Sequence, residues 1–143
     1  MNHPKESATV RGGKTHFVQE IQIREHRLLS DEPPELGGGD KGPNPYELLL
    51  AALGSCTSIT LRMYADRKGW PLESVEVRLT HEKVPAEECG GEAGDRTPMD
   101  CFTRKIHLEG PLDEEQRSRL LEIANRCPVH RTLHSEVRVR TEL

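Results

Sequence analysis

At 143 residues the chain has the length of a single domain, and with only 34% hydrophobic residues one copy has little side chain from which to build a core. A net charge of −4, with Trp70, Tyr46, Tyr64, Phe17 and Phe102 as the only aromatics, removes the basic footprint and the stacking platforms of a nucleic-acid binder. The longest strictly apolar run, Leu48 to Leu53, is far short of the roughly 20 residues that cross a bilayer, and the polar N-terminus lacks the hydrophobic segment of a signal peptide, so no membrane role and a cytoplasmic location are expected.

Residues 1–14 are polar and read as a flexible N-terminal segment ahead of a single domain spanning 15–143. From Thr15 to Ile23, Phe17, Ile21 and Ile23 share one parity, which predicts a strand with one wet face, and a second strand is expected through His26 to Leu29. Prolines and glycines then break regular structure from about Asp31 to Asn44. Asn44-Pro45-Tyr46-Glu47 reads as a variant capping box, with Asn44 as N-cap, Pro45 at the first helical position and Glu47 at N3. The helix it opens should reach Lys68 and stop at Gly69. Its first half is apolar nearly all round, the mark of a central helix. Val75, Val77 and Leu79 predict a strand that continues through His81 and Lys83. Beyond a polar excursion from Cys89 to Asp100, Phe102, Arg104, Ile106 and Leu108 predict its successor, with Arg104 near the rim. A polar amphipathic helix is expected over Asp113–Arg126, with Leu120, Leu121 and Ile123 as its apolar contacts. A short helix over Pro128–His134 and a last strand through Val137 and Val139 complete an α+β order.

In a reducing compartment, Cys56, Cys89, Cys101 and Cys127 read as chemical or incidental thiols rather than a disulfide framework. Cys127 precedes Pro128 in an N-cap-like position, where free backbone N–H groups favour a thiolate, and Arg126, His130 and Arg131 lie close in sequence. It reads equally as a small buried residue at a helix junction. Cys56 sits about three turns into the central helix on an apolar face, which by itself describes a structural thiol, yet Ser55, Thr57 and Ser58 beside it suggest a polar wall or a close crossing. Cys127-x-x-His130 is the one closely spaced pair of potential metal ligands, so no metal or cofactor is expected.

The segment from Gly42 to Thr57, with Asn44-Pro45-Tyr46-Glu47 and Gly54-Ser55-Cys56-Thr57, followed some 70 residues later by Cys127-Pro128-Val129, resembles the OsmC/Ohr family of osmotically inducible and organic-hydroperoxide-resistance proteins. The resemblance runs from about Thr15 to Leu143. It implies the OsmC-like α+β fold: a strongly bent antiparallel sheet, a long central helix, and an intertwined homodimer with two sites at its interface. It also implies roles: Cys56 attacks a small-molecule hydroperoxide, Cys127 resolves the sulfenic acid as a disulfide, and a dithiol reductant restores both. The family's hydroperoxide reductases usually carry Glu directly after Asn-Pro, bonded to an Arg that activates the thiol; here Tyr46 holds that place, Glu47 follows it, and Arg11, Arg24 and Arg27 match no motif. The expectation is a thiol-dependent peroxidase whose catalytic set is Cys56, Cys127 and Glu47. The alternatives are a binding or redox-sensing protein without turnover and a structural domain whose cysteines are inert.

Overall fold

The computed structural model describes residues 5–143. Strands β1 (Thr9–Gly12), β2 (Gln19–Ile23) and β3 (His26–Ser30) form an antiparallel sheet in that order. Ile21 pairs with Val10 on one side and Leu28 on the other, so apolar side chains line up across the three strands. Local patterning gives no sign of β1, which lies inside the 1–14 segment; Val10 is its one apolar residue, and the ladder to β2 makes it a strand. The first four residues of that segment lie outside the described residues. Phe17 precedes β2 instead of opening it, and is half exposed.

Contacts divide the chain into two units, residues 1–49 and 50–143. In the first, the loop after β3 is built around Asp31, which is 3% exposed. Its carboxylate accepts from the backbone N–H of Glu32 at 2.8 Å and of Lys41 at 3.1 Å, while its own N–H donates to Pro43 O. Burial alone pushes this carboxyl up, but those backbone donors, with Gly39, bring it below its ordinary value.

Helix α1 (Pro45–Lys68) begins inside that unit. Asn44 Oδ1 accepts from the Glu47 N–H at 2.8 Å and Glu47 Oε1 accepts from the Asn44 N–H at 2.9 Å, the reciprocal cap that the sequence predicts. The helix ends where expected because Gly69 adopts φ +69°, a left-handed conformation that costs glycine little. By length and composition α1 could cross a bilayer, a measure that the core helix of a globular fold also meets. Its buried residues, Leu53, Gly54, Thr57, Leu61 and Ala65, recur every three or four positions as one stripe.

In the second unit, β4 (Ser74–Pro85) and β5 (Pro98–Glu109) pair as an antiparallel hairpin. Val75, Val77, Leu79 and His81 lie opposite Leu108, Ile106, Arg104 and Phe102 and share one face with them. That face meets α1 at Gly54, where a Cβ would lie 2.7 Å from Leu79 Cδ1, so a larger residue there would make the leucine turn aside. Asp113 and Gln116 form a second reciprocal cap at the start of α2 (Glu114–Ala124). Leu120 and Ile123 of α2 join Leu61, Ala65, Leu72, Leu112 and Ala124 in the core. Leu121, expected among those contacts, is 61% exposed because it sits about 100° around the helix from Leu120. Helix α3 (Pro128–Leu133) follows.

Two expectations are corrected here. Cys89, in a 3-10 turn over Ala86–Cys89, and Cys101, on β5, are joined in a disulfide with Cα atoms 6.0 Å apart, so they are not the spare thiols expected. A cysteine count cannot show this, because the return of β5 beside β4 brings the pair within bonding reach. The strand expected through Val137 and Val139 does not form: residues 135–143 make no ladder, and the two valines are well exposed. Alternation marks a possible face, but a strand also needs a neighbour to pair with. The α+β class stands, with antiparallel sheets of three and two strands and a long helix.

Candidate active site

The stripe of α1 next to its buried one carries Ala52, Ser55, Cys56, Ile59, Thr60 and Met63, at helical spacing. With Pro128 of α3 these residues line an open, mainly apolar cleft of about 440 Å³. Cys56 is half buried in its wall, and none of the lining side chains is charged.

Cys127 approaches from the opposite side. It is the N-cap of α3, fully buried, and its Sγ accepts the His130 N–H at 3.2 Å. Pro128 removes one of the helix's unbonded donors; the N–H groups of Val129 and His130 remain, and each finds a sulfur. Burial pushes the Cys56 thiol above its ordinary range. The Val129 N–H acts against that, the hydrogen bond with Cys127 adds to it, and the Thr60 hydroxyl acts against it; burial wins. The two free thiols are therefore close neighbours at the first turn of α3, Cys56 facing the cleft and Cys127 behind it.

Behind Cys127 stands a residue that sequence reasoning set at a strand rim. Arg104 lies mid-strand on β5, on the face packed under α1. Its Nη1 donates to Thr57 Oγ1 at 2.9 Å and to Ala124 O at 3.2 Å, and its Nη2 donates to Asn125 Oδ1 at 2.9 Å. Thr57, fully buried, donates to Leu53 O at 2.7 Å and lies 3.9 Å from Cys127 Sγ. The signal was present: Arg104 shares the parity of Phe102, Ile106 and Leu108, which puts a guanidinium on an apolar face that has to satisfy it. The imidazole of His130, stacked on His134 at 4.3 Å, is held towards its neutral form by burial, then by the charge of Arg104 and by His134.

Glu47 is exposed and holds the cap of α1, in the other unit. Cys89 and Cys101 are bonded to each other.

A sequence profile described as OsmC-like protein matches residues 38–142, and so takes in both the Cys56 and the Cys127 segments. The chain belongs to the OsmC family. No curated protein sequence matches it. Among solved structures, an OsmC-like protein from Mycoplasma pneumoniae superposes with a TM-score of 0.68 at 19% identity, over 92% of this chain and 88% of that one. An organic hydroperoxide resistance protein OsmC from Legionella pneumophila gives 0.66 at 20% identity, over 93% and 91%. The organic hydroperoxide resistance protein OhrB of Bacillus subtilis gives 0.60 at 20%, over 90% and 89%. At these identities the likeness is one of fold, and it is the OsmC fold that sets the central helix beside the Cys127 turn.

Proposed function

We propose that this OsmC-family chain is a thiol-dependent peroxidase that reduces organic hydroperoxides, with Cys56 as the attacking and Cys127 as the resolving residue. One observation carries the reading: a half-buried thiol in an apolar cleft is backed by a second, buried thiol close enough to perturb it. The Cys56 thiolate attacks the terminal oxygen of ROOH, the O–O bond breaks, and the alkoxide leaves to take a proton as ROH. The Cys127 sulfur then attacks the Cys56 sulfenic acid, the S–O bond breaks, water departs, and a disulfide remains. A dithiol reductant returns both residues to thiols. The apolar lining suits the organic part of the peroxide.

Within one copy burial holds Cys56 towards its protonated form, so the reading requires a charge that the cleft lining lacks. We assign it to a homodimer whose second copy covers Ile59 and Met63 at the cleft mouth, which are 53% and 66% exposed. Glu47 enters this reading only through the resemblance; its observed bond is the helix cap.

Mass spectrometry of two variants tests the roles. Cys127→Ser should accumulate Cys56 sulfenic acid under one equivalent of hydroperoxide and over-oxidise with excess, whereas Cys56→Ser should lose the fast reaction. Rapid sulfenic acid formation at Cys127 in the Cys56→Ser protein would reverse the assignment. The upward push on the Cys56 thiol also favours a second reading, a protein that binds small apolar ligands or senses oxidants in the same cleft without turnover. Steady hydroperoxide loss with a dithiol present separates the two.

A further inference from the structure

Arg104 is a cation brought into the packed face beneath α1, and its three hydrogen bonds end around Cys127: on Thr57, which touches the sulfur, and on Ala124 and Asn125, which lead into it. Through Thr57 the guanidinium comes within about 7 Å of Cys127 Sγ, close enough in a part-buried site for its charge to be felt. The same bond constrains the Thr57 hydroxyl. Arg104 occupies one lone pair of Oγ1, so the single hydroxyl proton points away from the guanidinium, either to Leu53 O at 2.7 Å or to Cys127 Sγ at 3.9 Å. A neutral thiol at Cys127 leaves the proton on the carbonyl. A thiolate there draws it across.

We propose that Arg104 is the positioning residue for Cys127: acting through Thr57, it stabilises Cys127 as the leaving thiolate when the Cys56–Cys127 disulfide is reduced. This rests on the reading of Cys56 and Cys127 as a redox pair, and it gives the reductive step a direction. The thiolate of a dithiol reductant attacks the Cys56 sulfur, the one that faces the cleft; the S–S bond breaks and its electron pair leaves on the Cys127 sulfur. The second thiol of the reductant attacks the mixed disulfide and releases Cys56, and the two reductant protons end on the two cysteines. Two donors meet the Cys127 thiolate, the His130 N–H from α3 and the Thr57 hydroxyl from α1, and behind that hydroxyl stands the charge of Arg104 from β5. His130 beside it is held towards its neutral form, in part by the charge of Arg104 itself.

The test starts from protein oxidised with diamide, so that it does not depend on peroxide chemistry, and follows reduction by dithiothreitol. Peptide mass mapping separates the Cys56–Cys127 bond from Cys89–Cys101. Arg104→Gln should slow the reduction of Cys56–Cys127 about tenfold, because the charge acts on the sulfur as the bond breaks and not on the neutral thiol that follows. Arg104→Lys should restore most of the loss. If Arg104→Gln does not fold, Thr57→Val, which keeps the side-chain shape and removes the hydroxyl, should show the same slowing. A merely structural arginine would lower the melting temperature, leave the rate unchanged and gain nothing from lysine; that result, or no Cys56–Cys127 bond after diamide, overturns the proposal. A slowed reduction, rescued by lysine, in a protein that does not turn over hydroperoxide would sink the peroxidase reading and leave this one standing.

Discussion

Cys56 and Cys127 differ in access more than in chemistry: each receives a backbone N–H from the first turn of α3, but one faces the cleft and the other is sealed behind it. Both stood out in the sequence, Cys127 from its place before Pro128 and Cys56 through the resemblance, since an apolar mid-helix position taken alone describes a structural thiol. Arg104 and Thr57 were not, because their contact joins residues 47 positions apart and depends on which face of β5 meets α1. The hydroxyl of Thr60 hydrogen-bonds Cys56 and favours its charged form. Thr60→Val removes that preference, so the thiol should ionise at higher pH and alkylation by iodoacetamide at pH 7 should fall several-fold. An unchanged profile of alkylation rate against pH would show that Thr60 plays no part.

Helix ends were read well from local chemistry, since Asn44, Glu47 and Gly69 act on their immediate neighbours. Features that depend on pairing were read poorly: β1 was missed, a strand was expected at Val137 and Val139, and the Cys89–Cys101 bond was not foreseen. That disulfide closes a loop at the far end of the hairpin and plays no part in the proposed chemistry. Replacing both cysteines with serine should leave peroxide reactivity intact while lowering stability by up to about 3 kcal/mol, the entropy that a loop of this length withholds from the unfolded chain. Thermal melts alongside a peroxide assay measure both quantities. Complete loss of reactivity would show that the redox pair has been assigned to the wrong cysteines.

For the molecule as a whole, the α+β class and the central helix followed from patterning, while the thin apolar share pointed to association. The structure leaves Val10, Leu28, Ile59, Met63, Val137 and Val139 exposed, more apolar surface than a chain with so small a core can leave in water without cost. An obligate homodimer burying more than about 2,000 Å² is the expected state. Light scattering at low micromolar concentration should give twice the chain mass, and a folded single copy there would count against both the dimer and the charge it is asked to bring to Cys56.

Gly54 ties these scales together. Leu79 reaches into the space that a methyl group on Gly54 would need, and Leu79 is the cross-strand partner of Arg104. The gap between helix and hairpin, and with it the reach of the guanidinium to the hydroxyl one turn further along α1, is therefore fixed by a carbon atom that the chain omits. Positions 54 and 79 accordingly form one mutational unit: a larger residue at the first is relieved by a shorter one at the second, and what passes between them is the setting of an arginine that neither residue resembles in chemistry.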